Sequence, residues 1–319
     1  MPVIPSDYKS PFWLFSKHLQ TIIPALFRDV KLSVPRQTER VTTPDKDFLD
    51  LDWYKTDSEK LVIISHGLEG DARRPYVLGM VKALTESGFS VLAWNYRGCS
   101  GEINKLRRYY HSGETGDLDF VISQIPPNYK EIALIGFSIG GNITLKFLGE
   151  QSKTLNSRVK VAVAFSVPCH LQSAANHLAK PENFIYLQRF LKSLSKKIKD
   201  KAVFYPDLDI EGLKKVKNFW DFDERYTAPI NGFKGAIDYW TKSSSLFYLK
   251  NIVVPTLLIN AQNDPFLIPE WFPVKEAEAN DLLYLEMPAK GGHCGFYSHN
   301  KKNTYWSEKR AIEFINKYL

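Results

Sequence analysis

Short apolar runs recur along the chain, each separated from the next by a longer segment. They fall at 60–65 (KLVIIS), 89–95 (FSVLAWN), 131–136 (EIALIG), 159–167 (VKVAVAFSV), 255–261 (PTLLINA) and 282–287 (LLYLEM). Strands that are apolar on both faces, with helices between them, belong to a mostly parallel sheet covered on two sides. The alternation at 38–54 (TERVTTPDKDFLDLDWY) adds one or two antiparallel strands in front. Between residues 167 and 255 the rhythm breaks for longer than an ordinary connection allows. The segment reads as helical, at 184–194 and 209–220 in particular. It is expected to form a cap over the carboxyl edge of the sheet, where open α/β sheets bind ligands. The expected organisation is an N-terminal extension packed on the core (1–34), an α/β core (35–168 and 250–319) and a helical cap insertion (169–249).

Composition removes several classes of protein. With 44% hydrophobic and 13% aromatic residues over 319 positions, the chain can bury a large core, which excludes disorder and a small disulfide scaffold. The net charge of +7 is small for this length, and much of the excess lies in 192–217, away from any nucleic-acid motif. No nucleic-acid partner is expected. Cys99, Cys169 and Cys294 are far apart and odd in number, so neither a zinc ribbon nor a disulfide framework is expected. The N-terminus lacks the basic region and apolar run of a signal peptide, and no uncharged run approaches the ~20 residues that a membrane span needs. A cytoplasmic protein is expected.

The run EIALIG leads into Gly136-Phe137-Ser138-Ile139-Gly140-Gly141, and a helical pattern follows. A serine on a tight turn from strand to helix needs small neighbours, and the helix N-terminus favours negative charge developing there. Ser138 is therefore the candidate nucleophile. Serine needs a base, and the base needs an acid to orient it, in the chain order serine, acid, histidine. Asp264 follows PTLLINA in Gln262-Asn263-Asp264-Pro265, at the strand's carboxyl end. His293 lies in Gly291-Gly292-His293-Cys294-Gly295, just past the last apolar run, with His299 as its nearest rival. The oxyanion requires two backbone N–H groups, expected from Ile139 and from Leu68 in the turn His66-Gly67-Leu68-Glu69-Gly70. His66 is read as bracing that turn.

The blocks NYRGCSGEINKLRRYYHSGETGDLDFVI, FDERYTAPINGFKGAIDYW and GGHCGF, with HGLEGD and GFSIGGN, resemble the α/β-hydrolase superfamily and, within it, the YheT-like esterases. The resemblance runs over nearly the whole chain. It implies a serine hydrolase of carboxylic esters, either short- to medium-chain acyl esters or lipid esters, with its triad on Ser138, Asp264 and His293. No metal or organic cofactor is implied. Transfer of the acyl group to an alcohol would use the same triad, and a small-ligand receptor would use the same fold. Trp240 departs from the family pattern, which has a second tyrosine after Asp238-Tyr239.

Three features are not absorbed by the triad. Arg97 is read as bracing its loop through carboxylates such as Glu114, in preference to holding an acidic substrate group. Cys99 and Cys294 are read as packing residues near the site. The segment 11–28, opened by Phe12, Trp13, Leu14 and Phe15, is read as packing on its own domain, with peripheral membrane contact as the alternative. Oligomeric state is not legible.

Overall fold

The computed structural model describes residues 2–319. Every apolar run of the sequence becomes a strand: β4 (Lys60–Ser65), β5 (Ser90–Asn95), β6 (Glu131–Phe137), β7 (Val159–Phe165), β8 (Thr256–Ile259) and β9 (Leu283–Glu286). They join β1 (Val3–Ile4), β2 (Gln37–Thr42) and β3 (Phe48–Tyr54) in one nine-stranded sheet of order β1-β9-β8-β7-β6-β4-β5-β3-β2. Pairing is parallel from β1 to β5, and β3 and β2 are antiparallel additions at one edge. This is the α/β-hydrolase fold.

Side chains alternate between the sheet's faces, and that period divides the core in two. Leu61 and Ile63 of β4 face one apolar cluster, while Val62 and Ile64 face the other. The first cluster is covered by α3 (Thr115–Ser123) and α4 (Ile139–Glu150), the second by α2 (Pro75–Glu86) and α11 (Trp306–Asn316). Helix α1 (Lys17–Phe27) precedes the sheet proper, and α10 (Val274–Glu278) leads toward β9.

Between β7 and β8 the chain forms α5 (Leu171–Leu178), α6 (Phe184–Ala202), α7 (Phe219–Phe222), α8 (Ala228–Ile230) and α9 (Ala236–Ser243). Two details differ from the sequence reading. The helix expected at 184–194, α6, runs eight residues further, carried by apolar positions such as Ile198 that continue its buried face. The segment 209–220 is not one helix. It holds a short 3-10 turn, Glu211–Lys215, and breaks before Asn218, whose side chain caps α7 by accepting the Asp221 N–H. The N-terminal segment also does more than pack on the core, because Val3–Ile4 extends the sheet itself beside β9.

Arg97, just past β5, is fully buried, yet its partner is not Glu114. Its guanidinium grips Asp117 with two bonds, Nε–Oδ2 at 2.8 Å and Nη2–Oδ1 at 2.7 Å, and reaches Asp47 at 3.1 Å and Asp45 at 3.0 Å. Glu114 is taken instead by Arg108 at 2.8 Å, since it lies on the loop's outer side at the start of α3. The reading as a brace stands, and the site contains none of this network. Truncating one member of a buried ion pair strands its partners. Arg97→Ala is therefore expected to cost about 3–5 kcal/mol in chemical denaturation, and Arg97→Lys is expected not to restore it, because an ammonium cannot fork onto Asp117.

Candidate active site

The turn from β6 into α4 places Ser138 at φ 55°, ψ −121°, in the left-handed half of backbone space that non-glycine residues avoid. The strain persists because the surroundings leave no other path. A Cβ on Gly136 would lie 2.5 Å from the carbonyl oxygen of Gly140, and one on Gly140 would lie 2.3 Å from that of Ser65. The serine is thereby lifted out of the strand at the head of α4 and lines two adjoining cavities.

Asp264 sits in the turn after β8, and its side chain is fully buried. One carboxylate oxygen, Oδ1, accepts the Phe266 N–H at 2.8 Å, which fixes the group. His293 arrives from the loop after β9, where Gly291 and Gly292 (φ 153° and 61°) permit the chain reversal. Its Nδ1 lies 2.9 Å from Oδ2 and 3.1 Å from Oδ1 of Asp264, so the carboxylate accepts the Nδ1 proton and leaves Nε2 free as the basic atom. Phe266 covers the ring, with centroids 4.1 Å apart. His293 and Ser138 line the same two cavities, and among the described residues no hydrogen bond joins their side chains. Such contacts commonly tighten only when substrate is bound. The rival His299 is remote, on an exposed turn beside Tyr297.

The turn after β4 supplies the other wall. Gly67 N–H donates to the Tyr76 hydroxyl at 2.8 Å, Glu69 N–H to the Tyr110 hydroxyl at 2.9 Å, and Gly70 N–H to the Gly67 carbonyl at 3.0 Å. Leu68 N–H has no acceptor among the described residues, and neither has the N–H of Ile139 at the start of α4. Both residues line the smaller cavity beside Ser138. His66 is buried, with Nδ1 2.9 Å from the Gly67 carbonyl and Nε2 accepting the Tyr96 N–H at 3.3 Å. Burial holds its pKa down to about 4, which keeps it neutral inside the turn.

The cap is tied to this turn. Glu69 accepts from Lys197 at 2.8 Å and Ser193 at 2.5 Å on α6, and from Tyr110 at 2.7 Å. Burial pushes the Glu69 carboxyl upward, but the Lys197 ammonium outweighs it and holds the group below the usual carboxylate range. The smaller cavity, about 70 Å³, is walled by apolar side chains including Leu171, Leu178, Phe219 and Phe266. Its one carboxyl, Asp223, accepts the Trp240 indole N–H at 2.8 Å, and burial pushes its pKa up to about 7. Trp240 thus helps to shape this cavity. The larger cavity, about 290 Å³, opens between α1 and α6.

A pair of residues absent from the sequence reading holds the acid and base loops together. Gln20 of α1 accepts the Gly291 N–H and the Asn263 side-chain N–H on one oxygen, each at 2.9 Å, and donates to the Leu14 carbonyl at 2.6 Å. Thr21 accepts the His293 N–H at 3.0 Å. With Pro24 they are the buried residues of α1, while Leu26 and Phe27 are exposed. The polar pair is visible in the string HLQTII but has no meaning until the loops are in place.

The sequence profile of the alpha/beta hydrolase fold matches residues 60–300. The chain belongs to this family. Among similar proteins, the Escherichia coli (strain K12) protein named "Putative esterase YheT" is 33% identical over 312 residues, covering 95% of this chain and 91% of that one. The phospholipase ABHD3 of Bos taurus is 28% identical, covering 92% of this chain and 74% of its own. A solved esterase of Pyrococcus furiosus, Pf2001, superposes with a TM-score of 0.59 at 20% identity, over 91% of this chain and 96% of that one. The likeness to YheT places the chain among the YheT-like esterases.

Losing Gln20 frees both loops while leaving cavity-lining side chains untouched. Gln20→Ala is expected to lower kcat about 10- to 100-fold on a soluble ester with KM nearly unchanged, because misplacement of a reacting group acts on the chemical step. Steady-state kinetics beside a melting curve check this.

Proposed function

We propose that the protein is a serine hydrolase of carboxylic esters acting through Ser138, His293 and Asp264. The observation that carries the reading is the buried His293–Asp264 pair facing the cavity onto which a strained turn raises Ser138. The names of its relatives, esterase and phospholipase, support the reaction class.

In the first half, His293 Nε2 takes the Ser138 proton as Oγ attacks the ester carbonyl carbon, and the carbonyl oxygen becomes an oxyanion. The free N–H groups of Leu68 and Ile139 receive that charge. Asp264 holds the ring and stabilises its charged form. Collapse of the tetrahedral intermediate breaks the bond to the leaving oxygen, and the imidazolium returns its proton there to release the alcohol. In the second half, His293 deprotonates a water that attacks the acyl-serine carbonyl, and the acid leaves as Oγ regains the proton. The small apolar cavity suits the acyl chain, and the larger cavity toward α1 and α6 suits the alcohol portion.

Burial disfavours a charged His293, but the Asp264 carboxylate and the Cys294 sulfur outweigh it and push the ring pKa up to about 10. The reaction needs the neutral ring. kcat/KM is therefore expected to rise with pH, about tenfold per unit, until it levels near the His293 value. Asp264→Asn removes the charge that raises the pKa, so the residual activity should level at lower pH. A wild-type profile already flat from pH 7 upward would contradict this.

Ser138→Ala should abolish labelling by a fluorophosphonate and lower hydrolysis of p-nitrophenyl esters by at least about 10³-fold, with circular dichroism unchanged. Wild-type labelling of the alanine variant would overturn the assignment. The same esters, taken from two to sixteen carbons, measure the length that the acyl cavity accepts.

A further inference from the structure

Among the described residues, every large apolar side chain more than half exposed lies on two neighbouring segments. Phe12, Phe15, Leu26 and Phe27 belong to α1 and its approach, while Phe184, Ile185, Val203 and Phe204 belong to the two ends of α6. The most exposed of them, Phe12, is 92% accessible. Soluble surfaces carry such residues singly, and a cluster of them marks a place of contact.

The two segments form one surface around the cavity mouth. Lys17 of α1 pairs with Glu182, just before α6, at 3.0 Å, and His18 meets the Tyr186 hydroxyl at 3.1 Å. Leu26 and Ile185 belong both to this surface and to the lining of the larger cavity. Helix α1 turns Gln20 and Thr21 inward to hold the catalytic loops and leaves Leu26 and Phe27 exposed at its C-terminal end.

Charge selects the occupant. Along the outer face of α6, between its apolar ends, stand Arg189, Lys192, Lys196 and Lys199. A shallow groove runs beside them, with Ser193 and Ser195 completing its lining. Arg189, Lys192 and Lys199 have no acidic partner among the described residues, and only Lys196 is paired, with Asp200. Apolar side chains beside unpaired cations fit an interface of anionic headgroups over acyl chains, where aromatic rings sink and long basic side chains remain at the phosphates. Among the described residues, no helix is long and apolar enough to cross a membrane.

We propose that this surface docks the protein, cavity mouth first, on an anionic lipid bilayer, from which ester substrates enter the larger cavity without crossing water. The docking stands on the surface alone, and the entry of esters rests on the hydrolase reading above. Sedimentation with vesicles of phosphatidylcholine, with and without phosphatidylglycerol, tests it on the full chain. The wild type is expected to pellet with the anionic vesicles and to be released as salt rises.

The triple variant Phe15→Ser/Phe27→Ser/Phe184→Ser changes exposed residues outside both cavities. It is expected to lose at least about fivefold in vesicle binding and in hydrolysis of a long-chain ester held in the vesicles. It should still hydrolyse p-nitrophenyl acetate at the wild-type rate. Lys192→Glu/Lys199→Glu should remove the preference for phosphatidylglycerol. A wild type that stays in the supernatant, or a triple variant that pellets like it, overturns the proposal. So does a wild-type dimer that the triple variant converts to monomer in sedimentation velocity, since the face would then belong to a second copy. Vesicle binding by a wild type inert on every soluble ester would leave docking in place and overturn the hydrolase reading instead.

Discussion

The rest of the site depends on a backbone constraint at the end of β6. Ser138 is held in a conformation that costs of order 1–3 kcal/mol, and it stays there because the strand, α4 and the turn after β4 press on it from three sides. The same crowding that forbids a side chain at Gly140 brings the backbone of residues 65 and 66 against the start of α4. In the proposed mechanism, nucleophile and oxyanion donors therefore share one crowded corner. The partners of the serine come from loops after β8 and β9, and these need separate fixing.

That fixing is divided between two kinds of interaction. Charge anchors the cap, where Glu69 in the oxyanion turn and Lys197 on α6 are both buried and paired. Neutral hydrogen bonds anchor the acid and base loops through Gln20 and Thr21. The difference suits the positions. An additional charge beside His293 and Asp264 would compete for the imidazolium, whereas an amide and a hydroxyl hold backbone without altering the pair. Arg97 does comparable work at a distance from the chemistry, binding the loop after β5 to α3 and to the approach to β3.

What the sequence made legible was local. Each strand from β4 to β9 was a largely apolar run, and Ser138, Asp264 and His293 were candidates because they lie in the turns and loops that follow three of these runs. What escaped was set by contacts between distant residues. Glu114 and Asp117 lie close together after Arg97, and only the fold shows which of the two faces the guanidinium. Gln20 is 271 positions from the glycine amide that it holds, and no periodicity encodes that partnership. The helix predicted at 209–220 failed for a local reason, a side-chain cap at Asn218 that restarts the chain.

The pairing of Val3 and Ile4 with Leu285 and Glu286 makes the sheet's outermost parallel edge from the two ends of the chain. During synthesis β1 emerges before its partner and stays unpaired with it until β9 has been made. Helix α1 waits with it, because the loop that it grips is translated only after β9. Closing so long a loop is a late and slow event in folding. The central strands can assemble while translation continues, but α1 can lock the loops after β8 and β9 together only once both have been made. The grip of α1 on these loops is therefore made only after the central sheet can already have formed.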